Sequence, residues 1–296
     1  MMNILIAQVF NGLSIGSIYV LLVTGFNLLL LVAMVIHFSF PVSVVFSMYV
    51  SWFLMNATES ISLGILGGIA SAVVVNMATA PMFQHIMKKR GKVDINATMV
   101  LSMGFGMIIT DVLSHTFNQG FPVAFPDALT GNSKGALISA NLISISRGQV
   151  LTLAVGVVFV VLLFRLLYKS RIGRAFRAIA EDPNGSKLVG IPILKTGLLS
   201  YALTGVLGGV TAILMAVLLG SASAGLGDQL GHKVLAVSII AGLGNLTGGL
   251  IVGLLLGILE AIIQGYLAGS WSNAIAFVVM LVVILAKPKG VFGSKL

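Results

Sequence analysis

Apolar side chains run through this chain in long unbroken stretches, separated by short polar breaks. The stretches that read as helical spans are Ile4–Val32, Val42–Leu54, Leu63–Phe83, Ala97–His115, Gln149–Tyr168, Thr196–Leu219, Lys233–Leu243, Gly248–Leu267 and Trp271–Ala286. A membrane-crossing helix needs about 20 apolar residues, whereas a barrel strand shows alternation over about ten. Continuous runs such as Leu151–Leu167 and Leu198–Leu219 carry the helical signature. The pattern predicts an all-α fold, a polytopic transmembrane helical bundle of about eight to ten spans. Broken or re-entrant segments are expected where runs are short, at Val42–Leu54 and Lys233–Leu243, and residues 1–296 form one transmembrane domain. Met1–Leu31 lacks a positive leading region and a cleavage site, and reads as a first span rather than a signal peptide.

One polar island interrupts this pattern, Ser170–Ile191, within a loop over 169–195. A segment this polar belongs in water, not lipid. Arg171, Arg174, Arg177 and Glu181 recur at helical spacing on one face, with Phe176, Ile179 and Ala180 toward the other. Arg177 and Glu181 stand four residues apart, as an ion pair on a helix does. Asp182-Pro183 reads as a fresh helix start, an N-cap followed by proline in the first turn. Gly190 is the expected stop, with Ile191-Pro192 leading out. Two short helices therefore carry Leu188, Val189 and Ile191 outward. Such an element either docks a partner protein or lies on lipid headgroups with its arginines on phosphates.

Composition supports the membrane reading. The chain is 58% hydrophobic and 8% charged, where a soluble domain carries about a quarter charged residues. The net charge of +9 gathers at segment ends: Lys88, Lys89, Arg90 and Lys92; Arg165 to Arg177; Lys287, Lys289 and Lys295. Positive residues mark the cytoplasmic side. That places the N-terminus and the segments Asn56–Ser62, Thr116–Gly148 and Gly220–Gly231 outside, with about nine crossings. No soluble basic face remains for nucleic acid. The absence of cysteine excludes disulfides and thiol chemistry. His37, His85, His115 and His232 are scattered without metal-ligand spacing, so neither catalytic nor metal residues are assigned. The Asn56-Ala57-Thr58 sequon is taken as chance.

Within the spans, glycines repeat every four residues at Gly12/Gly16, Gly64/Gly68, Gly205/Gly209 and Gly249/Gly253/Gly257. Such grooves let backbones approach closely, within the bundle or across a dimer face. Asn11, Ser14, Ser17 and Asn27 are polar at roughly helical spacing along the first span, and Ser14, Ser17 and Thr24 fall near one stripe, which suits either interhelical hydrogen bonds or a translocation wall. Gly242-x-Gly244 followed by Asn245 breaks a helix at membrane depth, which backbone tolerates where it lines a cavity or is buried in protein. Asp111 and Glu260 are the acids expected inside spans, as hydrogen-bonded structural groups or as proton carriers.

The island resembles the cytoplasmic loop of bacterial ABC-importer permeases of the branched-chain amino acid family. The matching residues are Gly173-Arg174-Ala175, Arg177-Ala178, Ala180-Glu181-Asp182-Pro183 and Gly190-Ile191. Three more stretches resemble family motifs. They are Asn11 to Tyr19, the glycine-rich Gly242–Gly257 followed by Glu260, and Lys287-Pro288-Lys289-Gly290-Val291-Phe292-Gly293. Three departures stand out, one of them Ala222–Lys233, which matches the family poorly. Ile36-His37-Phe38-Ser39-Phe40-Pro41 replaces the usual Asn-Phe-Ala-His-Gly type of segment, and Gly185-Ser186 replaces stronger helix formers, which predicts a looser second turn.

The resemblance implies a multi-pass inner-membrane permease subunit of an ATP-driven importer, not an enzyme. It binds no cofactor, because ATP is hydrolysed by partner ATPase subunits. Arg171, Gly173, Arg174, Ala175, Arg177, Ala178, Glu181, Asp182, Pro183, Leu188, Gly190 and Ile191 then form the ATPase-coupling surface. Asn11, Ser14, Ser17, Thr24, Gly242, Gly244 and Asn245 are the candidates for the path. A second permease subunit and a periplasmic substrate-binding protein complete the assembly. The implied cargo is a branched-chain or related amino acid. Urea, amides or another small polar solute, and a proton-coupled secondary carrier, are the alternatives.

Overall fold

A computed structural model describes residues 2–90, 95–117, 120–127, 129–130, 136–140, 143–266, 271–287 and 290–293. Lys92, Lys134, Pro288, Lys289 and Lys295 lie outside them. The helices in chain order are α1 (Met2–Ala33), α2 (Ser39–Thr58), α3 (Ile61–Arg90), α4 (Ile95–Thr116), α5 (Arg147–Lys169), α6 (Arg171–Glu181), α7 (Pro183–Leu188), α8 (Ile193–Leu219), α9 (Leu226–Ala241), α10 (Leu246–Tyr266) and α11 (Trp271–Ala286). Among the described residues four short strands join them: β1 (Val123–Ala124), β2 (Ala136–Ala140), β3 (Ile143–Ser146) and β4 (Ser221–Ala222). The chain is thus a polytopic helical membrane protein.

Among the described residues, seven helices are long and apolar enough to cross a membrane: α1 to α5, α8 and α10. The apolar α9 and α11 have 16 residues each. At 1.5 Å per residue they run about 24 Å, short of a hydrocarbon core of about 30 Å.

The second span is longer than its sequence pattern suggests. Pro41 falls in the first turn of α2, where its missing N–H leaves no helical bond unmade. Ser43, Ser47 and Ser51 lower the apparent hydropathy, yet all three are buried against α3. Ser47 Oγ donates to the Gly68 carbonyl at 2.6 Å and Ser51 Oγ to that of Gly64 at 2.9 Å. Ser47 and Ser51 thus each meet a glycine of the Gly64/Gly68 groove, where no side chain blocks the approach, and Ser43 accepts from Asn76 Nδ2 at 2.9 Å.

α1 is the axle of the bundle. It lies inside, with Leu21, Leu22, Val23, Phe26 and Leu28 buried on every side of the helix. Its glycine face meets that of α10 backbone to backbone. A methyl at Gly12 would stand 2.5 Å from the Ile258 Cα, and one at Gly16 would stand 3.0 Å from the Leu254 Cα. α8 meets α3 in the same way, Gly205 facing Val73 and Gly209 facing Ile69. The four-residue glycine spacing is therefore spent inside the bundle. α3, α4 and α5 form its rim and expose apolar side chains such as Val74, Met107, Ile108 and Val161, as a lipid-facing surface does.

β1 pairs antiparallel with β4, Val123 opposite Ala222 and Ala124 opposite Ser221. This ribbon ties together the two segments that the charge pattern assigns to the outer side. Trp52 of α2 caps it by donating Nε1–H to the Ala124 carbonyl at 2.9 Å.

Candidate functional site

The polar island folds as the two capped helices α6 and α7. Ser170 joins α5 to α6: its Oγ donates to the Leu166 carbonyl at 2.6 Å and accepts from Gly173 N–H at 3.0 Å. Gly173 fits here because a Cβ would strike the carbonyls of Leu166 and Leu167. Phe176 and Ile179 are fully buried and root α6 in the bundle. Asp182 caps α7 by accepting from Asn184 N–H at 2.9 Å, and Pro183 opens the first turn. Gly190 closes it with φ +84°. Its N–H reaches the Lys187 carbonyl at 3.2 Å and Ile191 N–H reaches that of Ser186 at 3.0 Å, the Schellman pair of bonds. Gly185 lies where a Cβ would stand 2.5 Å from the Asp182 carboxylate, and Ser186 is buried. The weak helix formers of this turn thus sit where bulk does not fit, and both ends of the turn are tied.

One expected contact is absent. Arg177 does not pair with Glu181. It turns back onto the end of α5, donating Nη1–H to the Leu167 carbonyl and lying 5.3 Å over the Tyr168 ring. The free carbonyls at a helix C-terminus carry partial negative charge and attract the guanidinium. Arg171, Arg174, Glu181 and Asp182 are left exposed, with Ala175 and Ala178 half-buried between them. At the tip, Leu188 is 88% exposed and Val189 78%, more than any other large apolar residue described. Ile191 is half-buried.

The polar stripe of α1 is occupied within the chain. Ser14 Oγ donates to the Gln149 carbonyl at 3.0 Å and Ser17 Oγ to that of Thr152 at 3.4 Å. Asn11 Oδ1 accepts from Gln149 Nε2 at 3.2 Å. These bonds fasten α1 to α5, while Thr24 bonds to the Val20 carbonyl of its own helix. Gly242 and Gly244, with φ +91° and +81°, make the break between α9 and α10. Asn27 of α1 covers it: its Oδ1 accepts from Ser238 Oγ and from Gly244 N–H, and its Nδ2 donates to the Asn245 carbonyl at 3.3 Å. The C-terminal tail covers it from the other side. Val291 N–H bonds to the Ile240 carbonyl at 2.7 Å, and Asn245 Nδ2 to that of Phe292 at 2.7 Å.

The divergent segment at His37 is a buried knot. His37 Nε2 lies 2.9 Å from Thr79 Oγ1, and its Nδ1 lies 3.1 Å from Ser39 Oγ. The rings of Phe83 and Tyr201 pack on it.

The sequence reading missed a charge. Asp111 lies exposed near one end of α4, 3.4 Å from His115. Glu260, by contrast, is buried and paired. Lys233 Nζ stands 2.5 Å from its Oε1, Tyr19 donates to its Oε2 at 2.5 Å, and Gln264 Nε2 lies 3.3 Å from Oε1. Lys233 also donates to the Tyr19 hydroxyl at 2.9 Å. The sequence pattern puts Lys233 at the start of a short apolar segment. It is the eighth of the 16 residues of α9, because the helix begins at Leu226. A charged pair therefore lies within the bundle, between α9 and α10. Among the described residues no group of three or more His, Asp or Glu is placed to hold a metal.

Among the described residues, eleven helices, a glycine-sealed core and a capped polar hairpin define a multi-pass membrane protein. A family model described as branched-chain amino acid transport system / permease component matches residues 8–284, and the chain belongs to that family. It is a transporter permease subunit of an ABC importer rather than an enzyme, and the family works with ATPase and substrate-binding partners. The chain is similar to the high-affinity branched-chain amino acid transport system permease protein BraD of Pseudomonas aeruginosa, with 27% identity over 97% of this chain and 95% of that one. It is also similar to the corresponding permease protein LivH of Escherichia coli K12, with 24% identity over 97% and 94%. No solved structure matches the chain.

Proposed function

We propose that this chain carries branched-chain or related amino acids across a bacterial inner membrane, and that the hairpin Ser170–Ile191 seats in a cytoplasmic ATPase subunit. The observation that carries the hairpin's role is the exposure of Leu188 and Val189 at the tip of a doubly capped turn. Apolar side chains that protrude from a charged, ordered element fit a pocket of a partner better than they fit water. Phe176 and Ile179 make the other half of the device. They bury the root of α6 beside α5 and α8, so a push at the tip reaches the bundle rather than bending a loose loop.

In this reading a second permease subunit completes the pathway and a periplasmic binding protein delivers cargo to the outer ribbon. ATP binding closes the ATPases, draws the hairpins together and reorients the helices. The cargo rests on the family and on the two relatives' names. Reconstitution with the cognate ATPases and binding protein tests it. ATP-dependent accumulation of L-leucine is expected, and uptake of urea or an amide in its place would redirect the cargo. Accumulation without any ATPase would replace the importer with a secondary carrier.

A further inference from the structure

Tyr19, Lys233 and Glu260 stand together in the middle of the bundle. Tyr19 is the central residue of the span Leu5–Ala33, and Lys233 lies mid-helix in α9. An ionised group buried among membrane-spanning helices is costly.

The two charges differ in what they still offer. Glu260 is 5% exposed and accepts from three donors: Tyr19, Lys233 and Gln264. Its oxygens are engaged. Lys233 keeps 15% of its side chain accessible, and its ammonium has three N–H groups. Two of them go to Glu260 Oε1 and the Tyr19 hydroxyl. The more accessible member of the pair is therefore the lysine, and among the described residues one of its three donors has no partner.

A helix clamp alone does not account for this pair. A buried ion pair recovers little more than its desolvation cost, and an apolar pair of similar volume usually holds as well. α1 and α10 are already fastened by the backbone contacts of Gly12, Gly16 and Gly257.

We infer that Lys233 is a contact within the bundle for the carboxylate of the transported solute, a reading that rests on the amino-acid cargo proposed above. The neighbouring Glu260 is part of the design. A lone lysine in low dielectric would hold a carboxylate strongly and stall release, whereas a cation already neutralised by its partner holds it weakly. Transit needs a contact good enough to enter and weak enough to leave. Tyr19 keeps the pair in register, its hydroxyl bridging both charges.

The test is uptake of L-leucine by the complete complex in proteoliposomes, with ATP hydrolysis stimulated by the binding protein read in parallel. The double variant Lys233→Met with Glu260→Gln removes both charges and leaves no orphan. Uptake is expected to fall at least about tenfold while stimulated hydrolysis stays within about twofold of the unmodified complex. Lys233→Arg, which retains a cation, is expected to keep uptake within about threefold. Unchanged uptake in the double variant would overturn the inference. So would a joint loss of uptake and hydrolysis in both variants, which marks a clamp and nothing more. An unmodified complex that hydrolyses ATP but accumulates no L-leucine would instead overturn the amino-acid reading.

Discussion

Asn27, fully buried in α1, reaches across the core to the backbone of Asn245, its amide donating to that carbonyl at 3.3 Å. The same side chain accepts from Ser238 and from the N–H of Gly244. One residue thus satisfies polar groups on both sides of a helix break that lipid could not satisfy. Asn27→Leu keeps the volume and removes every one of these partners. It is expected to destabilise the protein by about 1–3 kcal/mol, the cost of leaving buried polar groups unpaired. Thermal unfolding in detergent reads this, and an unchanged midpoint would show that the break is held by the C-terminal tail alone.

The glycine grooves make a sharper prediction, because position decides the sign. A methyl at Gly12 stands 2.5 Å from the backbone of Ile258, whereas one at Gly104 meets nothing within 4 Å. Gly12→Ala forces α1 and α10 apart and should cost about 1–3 kcal/mol, as overpacking does. Gly104→Ala should be neutral or gain about 0.5–1 kcal/mol through helix propensity. Equal effects at the two sites, by the same melting assay, would contradict the packing seen here.

Much of this architecture is legible in the sequence, and the exceptions share a cause. The helix start at Asp182-Pro183, the stop at Gly190 and the glycine ladders depend on a few local residues, so they survive a reading without tertiary context. What escapes is polarity whose partner is distant in sequence. Ser43, Ser47 and Ser51 look like the weak edge of a span until α3 is beside them. Lys233 follows Gly225, Gly227, Asp228 and Gly231, a composition that reads as loop, so its charge looks terminal. Its partners Tyr19 and Glu260 lie 214 and 27 residues away. Arg177 pairs with a carbonyl rather than with the acid four residues on, because the end of α5 lies closer to hand than helix spacing alone reveals.

The hairpin separates stability from coupling. Leu188 and Val189 touch almost nothing within the chain, so Leu188→Asp with Val189→Asp should leave the melting midpoint within about 0.5 kcal/mol of the parent. Capture of the ATPase subunit should weaken at least about tenfold, the loss expected when a central apolar contact is removed. Phe176→Ala should do the reverse at its first step, costing about 3–5 kcal/mol of stability because the ring is fully buried. Undiminished capture by the Leu188/Val189 variant would remove the tip from the coupling surface.

Lys233 and Glu260 supply a cycle that measures their attachment independently of transport. Lys233→Met alone leaves a buried carboxylate bound to Tyr19 and Gln264 without a counter-charge. Glu260→Gln alone leaves a largely buried ammonium without a counter-charge. Each single change is expected to cost about 3 kcal/mol, toward the low end for broken buried pairs because Lys233 is 15% accessible. The double change removes both charges and should recover most of that loss, since a neutral pair brings no desolvation cost. The two single losses would then exceed the double loss by a clear coupling energy. Additive losses would mean that the two charges do not depend on each other, and that the 2.5 Å approach of Nζ to Oε1 contributes nothing to holding α9 against α10.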